Sequence, residues 1–283
     1  MTSAAQAIRD AAQTLAETSD TARLDAEILM AHAMGVSRSD LLIRGMDAEA
    51  PARFHRLVER RGKREPVAYI TGAQEFYGHP FIVTRDTLIP RPDSEVVVEA
   101  ALDILGDAPE NSGADSILDL GTGTGALLLS VLAQKPTFRG RGIDQSAAAI
   151  AVAERNAAAL GLSDRANFSV NAWHGETDAQ GQPWWSQWGR FELVIANPPY
   201  VESGAALDPD VSEYEPASAL YAGEDGLDDY RLIIPGLAHI TSKAVLEIGA
   251  TQADSVAQLA EKAGFATELR YDLANRPRAL ILS

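Results

Sequence analysis

A mostly apolar run, Phe191-Glu192-Leu193-Val194-Ile195-Ala196, ends in Asn197-Pro198-Pro199-Tyr200. The run reads as a buried strand. Two consecutive prolines cannot continue it, because neither has a backbone N–H and both fix φ. The strand therefore stops with Asn197 at its carboxyl end, the edge where ligands bind in open α/β sheets. Asn197 carries a side-chain carbonyl acceptor, and the Pro198 carbonyl is stiffened by the rings around it. Two fixed acceptors at one point suit a planar –NH2 group, which has two hydrogens to donate. Tyr200 offers a flat face on which a planar amide or base can stack. Taken alone, these four residues are also compatible with an ordinary proline-rich turn.

From Ser116 onward strands and helices alternate, which predicts a parallel α/β sheet. Ile117–Leu120 is a strand, Gly121-Thr122-Gly123-Thr124-Gly125 the turn after it, and a helix begins at Ala126. Glycines here let the backbone approach a ligand at a helix amino terminus. The GxGxG spacing differs from the GxGxxG of dinucleotide sites and favours a ligand without a pyrophosphate; an NAD domain is the competing reading. The second strand ends at Asp144, 23 residues after Gly121. A carboxylate there can accept both ribose hydroxyls, as in NAD and S-adenosylmethionine sites, or cap the helix expected over 146–160. Trp173 follows the third strand, 166–170, and either walls an adenine pocket or fills the core. A polar insertion is expected over 174–190, with Trp184, Trp185 and Trp188 packed on the domain surface. Residues 201–230 hold nine acidic residues and no basic one, a long stretch whose length points to function or mobility. A helix over 226–240, a strand over 243–248, a helix over 251–263 and closing strands over 267–271 and 279–282 complete the expected order.

Residues 1–74 read as helices. Ala5, Ile8, Ala12 and Leu15 fall on one face. Ser19 or Asp20 can cap a second helix carrying Leu24, Ile28 and Ala31 and ending at Gly35. A short turn holds Leu41 to Ile43, and Asp47 caps a helix with Phe54, Leu57 and Val58 inward. The other face of that helix carries Arg53, Arg56, Arg60 and Arg61, followed by Lys63 and Arg64, either a solvated face or a docking patch. Gly78-His79 between two aromatic-rich runs suggests a hairpin. The expected organisation is a helical domain over 1–74, a hairpin linker over 75–87 and a catalytic domain over 88–283, with a polar connector at 107–114.

Cysteine is absent, which excludes disulfides, thiolate catalysis and Cys-ligated metals. The five His residues show no metal-site spacing. No run is long and apolar enough to span a bilayer and no signal-peptide pattern opens the chain, so a cytoplasmic enzyme is expected. Residues 1–74 hold 10 Lys+Arg and 10 Asp+Glu, and the other 209 hold 14 and 30, which accounts for the whole net charge of −16. So acidic a catalytic part is a poor surface for a nucleic-acid backbone, and neither nucleic acid nor membrane is expected as a partner.

Leu88-Ile89-Pro90-Arg91-Pro92-Asp93-Ser94-Glu95, Asp119-Leu120-Gly121-Thr122-Gly123-Thr124-Gly125, Asn197-Pro198-Pro199-Tyr200, Glu215-Pro216 with Gly223-Glu224-Asp225-Gly226-Leu227, and Glu247-Ile248-Gly249 with Gln252 occur in this order. With them the chain resembles, over essentially its whole length, the peptide chain release factor glutamine methyltransferases (the PrmC or HemK family). Ser94 stands where that family often has Thr. The Asn-Pro-Pro-Tyr motif alone is shared with adenine-N6, guanine-N2 and ribosomal-protein glutamine methyltransferases, and the other blocks are narrower. The resemblance implies a class I methyltransferase sheet, S-adenosylmethionine as cofactor, and methylation of the Gln side chain in a Gly-Gly-Gln loop of release factors. It implies that Gly121, Thr122, Gly123, Thr124, Gly125, Asp144 and Trp173 hold the cofactor, with Asn197 near it. Asn197, Pro198, Pro199 and Tyr200 would hold the substrate Gln and carry the catalysis. The rivals are a ribosomal-protein glutamine methyltransferase, a nucleic-acid base methyltransferase and an inactive binding module. The intact motifs disfavour the last.

Overall fold

The computed structural model describes residues 2–106, 116–173 and 183–283. The chain forms two compact units. One comprises residues 1–73 with 207–214, the other 74–206 with 215–283. The connector expected at 107–114 and most of the insertion expected at 174–190 lie outside the described residues.

The first unit is helical. It contains α1 (Ala4–Leu15), α2 (Ala22–Met34), α3 (Arg38–Asp40), a π-helical turn at Leu41–Gly45, α4 (Arg53–Gly62) and α5 (Val67–Thr71). Ala4, Ala7, Ile8 and Ala11 of α1 meet Leu29, Met30 and Phe54 in one core. The small residues follow the helical period and let the helices approach closely. Leu24 differs from expectation and is exposed, because the inward face of α2 starts at Asp25 and Ala26. The second helix begins after Thr21, not Ser19; the Ser19 hydroxyl instead donates to Asp25 Oδ2 at 2.7 Å. Asp47 caps nothing, and α4 starts after Ala52 without a side-chain cap.

The basic face of α4 is largely engaged within its own unit. Arg61 is buried and donates to Asp25 at 2.7 Å and to Asp210 at 2.6 Å. Arg60 makes a two-pronged pair with Glu65 at 2.7 and 2.8 Å, and Arg53 donates to the Ala33 carbonyl at 2.5 Å. Tyr214 donates to the Lys63 carbonyl at 2.5 Å. Arg56 and the Lys63 side chain are exposed.

The second unit opens with a hairpin, β1 (Ala73–Phe76) and β2 (His79–Ile82). Its turn is Tyr77-Gly78, both at positive φ, one residue earlier than the spacing suggests. A short 3-10 turn at Pro92–Ser94 leads into α6 (Glu95–Leu105). Then follow β3 (Ile117–Leu120), α7 (Ala126–Gln134), β4 (Gly140–Asp144), α8 (Ala147–Ala159), β5 (Ala166–Val170) and β6 (Leu193–Ala196). After α9 (Pro209–Ser212), which belongs to the helical unit, come α10 (Asp228–Ile240), β7 (Ala244–Glu247), α11 (Ala253–Lys262), β8 (Thr267–Tyr271) and β9 (Pro277–Leu282).

The seven strands lie in the order β5-β4-β3-β6-β7-β9-β8. Pairing is parallel from β5 to β7 and antiparallel at β9 and β8. All four residues of β3, β6 and β7 are buried, as strands covered on both faces require. One face packs on α6, α7 and the hairpin residues Phe76 and Phe81. The other packs on α10, α11 and Trp184. Trp184 is therefore a core residue, not the surface residue expected; it lies over Gly236, where a side chain would collide with the indole.

Candidate active site

The chain winds outward from β3 to β4 and β5, then returns across β3 to β6. Such a reversal opens a crevice at the carboxyl edge of the sheet. In the register of the sheet Leu120 pairs with Ile143 on one side and with Ala196 on the other. The next residues, Gly121, Asp144 and Asn197, consequently stand at one level. A cleft lies there, at the place where open α/β sheets bind their ligands. Gly121, Thr122, Gly123, Thr124, Asp144, Trp173, Asn197 and Pro199 line it, while Gly125, Pro198 and Tyr200 do not.

The glycine turn is built for close approach. Gly121, at φ 73°, sits against Trp173, and a Cβ there would come within 2.9 Å of the indole. Trp173 is buried yet also lines the cleft, and its Nε1 donates to Asp229 at 2.6 Å. Asp144 accepts from the Gly123 N–H at 3.0 Å and the Ser146 N–H at 2.8 Å. The cap of α8 is Ser146, so Asp144 braces the turn rather than capping the helix. Burial raises its pKa, and these two N–H groups offset part of that push.

Two carboxylates of this edge escaped the sequence reading. Asp119 is fully buried in β3; its Oδ2 accepts from Thr122 at 2.7 Å and its Oδ1 has no partner. Burial pushes its pKa to about 7, with Thr122 opposing and Asp144 adding to the rise. Glu247 ends β7, also fully buried, and burial likewise pushes it to about 7 against the pull of Ser94 and Arg278. The signal was present: a carboxylate inside a four-residue apolar strand is out of pattern.

Neither the Asn197 side-chain amide nor the Pro198 carbonyl has a hydrogen-bond partner among the described residues. Much of the surrounding wall, by contrast, is tied by hydrogen bonds and ion pairs, although the Ser94 hydroxyl has no partner. The Ile89 N–H donates to Glu215 at 3.1 Å and Arg91 pairs with the same carboxylate. Arg276 and Arg278 hold Asp93 at 2.9 and 3.1 Å. These contacts fix Leu88, Pro90, Ser94 and Pro216 as cleft wall and explain why the charged residues of those blocks are buried or paired. Among the described residues the cleft lining contains Asp86 and Asp144 but no Lys, Arg or His.

A doubly covered, mostly parallel sheet with a glycine turn, an acidic strand end and Asn-Pro-Pro-Tyr converging on one edge defines a class I methyltransferase. The Methyltransferase small domain family matches residues 96–214 and the PrmC N-terminal domain family residues 6–72. The solved hMettl16 catalytic domain, in complex with a MAT2A 3′UTR hairpin, shares the fold at a TM-score of 0.56 and 15% identity, over 80% of this chain and 82% of that one. A release factor glutamine methyltransferase of Cereibacter sphaeroides is 41% identical over 97% of this chain and 96% of its own. One of Burkholderia pseudomallei is 40% identical over 90% of each. The chain belongs to the release factor glutamine methyltransferase family. No helix among the described residues is long and apolar enough to cross a membrane.

Proposed function

We propose that this protein transfers a methyl group from S-adenosylmethionine to the side-chain amide nitrogen (N5) of the glutamine in the Gly-Gly-Gln loop of peptide chain release factors, supporting translation termination. The observation that carries this reading is the Asn197 amide, which lines the cleft without a hydrogen-bond partner among the described residues and is followed directly by the unpartnered Pro198 carbonyl. A planar amide with two N–H groups satisfies both acceptors at once. The names of the relatives favour the release factor as its source.

The residues present fit the cofactor. A lining with carboxylates and no cationic side chain favours a ligand bearing hydroxyls and positive charge over one bearing phosphates. At Gly123 a Cβ would meet only the Gly121 carbonyl oxygen, at 4.0 Å, so the turn leaves space there for a ligand to approach the backbone, and Asp144 is available to a ribose diol. S-adenosylmethionine supplies an electrophilic methyl on a sulfonium. Asn197 and the Pro198 carbonyl accept the two N–H bonds of the glutamine, hold its nitrogen in line and stabilise the positive charge that grows on it. The methylated nitrogen is strongly acidic and loses its proton to water, so the step needs no dedicated general base.

Incubation with labelled S-adenosylmethionine and purified release factor, followed by mass mapping, tests the reading. Label on the Gly-Gly-Gln glutamine is expected. Label only on a ribosomal protein or a nucleic-acid base, or no transfer, overturns it. Asp144→Ala is expected to weaken S-adenosylmethionine binding by roughly 1.5–3 kcal/mol, the worth of hydrogen bonds to a charged group, and NAD is not expected to bind either protein. Calorimetry checks both statements.

The helical unit is assigned to recognition of the protein substrate. A single Gln side chain offers little binding energy, and discrimination among proteins needs a wider contact. Because Arg60 and Arg61 are engaged internally, the exposed cations of this face of α4 and the turn after it that form no ion pair among the described residues are Arg56 and Lys63. Arg56→Glu with Lys63→Glu is expected to raise KM for intact release factor, leave cofactor affinity unchanged and spare a short Gly-Gly-Gln peptide. Equal losses on peptide and protein would contradict the assignment.

A further inference from the structure

Tyr200 is held at both ends by residues that the proposed chemistry does not use. Its hydroxyl donates to Glu247 Oε1 at 3.3 Å. Its backbone carbonyl accepts from Gln252 Nε2 at 3.0 Å, and the same amide donates to the Gly226 carbonyl at 3.2 Å. The Gln252 carbonyl in turn accepts from the Gly249 N–H at 3.1 Å, which fixes the orientation of the amide. A Cβ at Gly226 would overlap the Tyr200 carbonyl oxygen, so the fit requires glycine there. Tyr230 donates to the Glu247 carbonyl at 2.7 Å and holds the end of β7.

Glu247 is a poor choice for stability alone. It is fully buried, and its Oε2 has no hydrogen-bond donor. The Ser94 hydroxyl is near but also makes no bond of proper geometry. A buried carboxyl with one open oxygen is destabilising relative to a packed apolar side chain. What the carboxyl does accomplish is to fix the phenol of Tyr200. Between Tyr200 and Asn197 lie only Pro198 and Pro199, both with φ fixed by their rings. This two-proline rod transmits the placement of Tyr200 to the Asn197 amide and the Pro198 carbonyl.

We propose that Glu247 and Gln252 are positioning residues for methyl transfer, which clamp Tyr200 by its hydroxyl and its carbonyl and so aim the acceptor pair of Asn197 and Pro198. The role rests on the function proposed above. Neither residue touches the transferred group.

The test compares Glu247→Leu, Glu247→Gln, Tyr200→Phe and the double variant Glu247→Leu/Tyr200→Phe with the wild type. Glu247→Leu is expected to lower kcat about tenfold or more, as misplacement of reacting groups does, with KM for S-adenosylmethionine unchanged and Tm equal or higher. Glu247→Gln keeps an acceptor oxygen for the phenol and is expected to recover most of the turnover. The double variant should be no slower than the worse single one, because both act through one hydrogen bond. Additive losses, or a Glu247→Leu protein with wild-type kcat, overturn the proposal. A fall in Tm that parallels the fall in kcat also overturns it, since that marks a residue needed only for folding. A crystal structure of Glu247→Leu reads the clamp without any substrate: a displaced Asn197 amide supports it, and an amide in its original place overturns it. Failure of the wild type to methylate release factor would instead count against the function, and the structural readout would still decide the clamp.

Discussion

Asn197→Ala is expected to lower kcat on release factor about 100-fold or more, the scale of losing a preorganised group that meets developing charge. An amide nitrogen is a weak nucleophile because its lone pair is shared with the carbonyl. Its attack on a methyl group depends on being held in line while positive charge accumulates. With one acceptor gone, the bound glutamine amide can rotate about its remaining hydrogen bond. The substitution should leave the fold intact for a specific reason. The Asn197 side chain has no partner among the described residues, so its removal strands no donor or acceptor there. A thermal melt and S-adenosylmethionine binding close to wild type, together with the lost turnover, are the expected results. A folded Asn197→Ala protein with near-normal turnover would sink the assignment of the acceptor pair.

The second large effect concerns pH. The stability of the ligand-free protein is expected to fall as pH rises from about 5 to about 8. Asp119 and Glu247 each have a folded pKa near 7, against ordinary values of 3.8 and 4.5, with burial as the first cause in both. Between the ordinary and the raised value the folded protein binds more protons than the unfolded chain. The stability these two groups contribute is therefore fully present below their ordinary values, declines across the window, and is lost above about 7. Each group contributes on the order of 3 kcal/mol to this decline. The carboxylates with lowered pKa, such as Asp272 held by the Arg276 backbone and side chain, titrate below the window and do not mask it. Asp119→Asn and Glu247→Gln should each flatten the profile and gain stability at pH about 8. Urea unfolding at several pH values measures this; a wild-type profile that rises across the window would refute the buried-acid account.

Several features were legible from local rules. Paired prolines stop a strand wherever they occur, and glycines at positive φ mark a turn that presses on a neighbour, here Trp173 against Gly121. The alternation of strands and helices specified the sheet because each crossover helix needs its own amphipathic stretch. What was not legible depends on pairs far apart in sequence. The face of α4 looked like a free basic patch because Arg61 meets Asp25 and Asp210, 36 and 149 positions away. Residues 201–230 looked like one acidic loop, yet Asp210 joins an ion pair in the helical unit while Glu215 closes the cleft wall. Helix starts were misplaced where Ser19 and Asp47 looked like caps, because a polar side chain near a helix start can bond elsewhere, as Ser19 does with Asp25. Asp119 and Glu247 stand out as carboxylates within apolar strands, but their partners, Thr122 for one and Tyr200 for the other, follow only from the folded chain.

The membership of residues 207–214 in the helical unit changes what counts as a transferable piece of this protein. A chimera made by cutting at the hairpin, with 1–73 taken from one relative and the rest from another, exchanges Arg61 without Asp210 and Lys63 without Tyr214. A fragment of 1–73 alone leaves a buried guanidinium with one carboxylate where the whole chain provides two. The heritable module is thus two stretches of chain, written about 130 residues apart and joined at Asp210 by ion pairs with Arg61 and Arg64. Substitutions at positions 61 and 210 are expected to travel together whenever this family exchanges or redesigns its amino-terminal part.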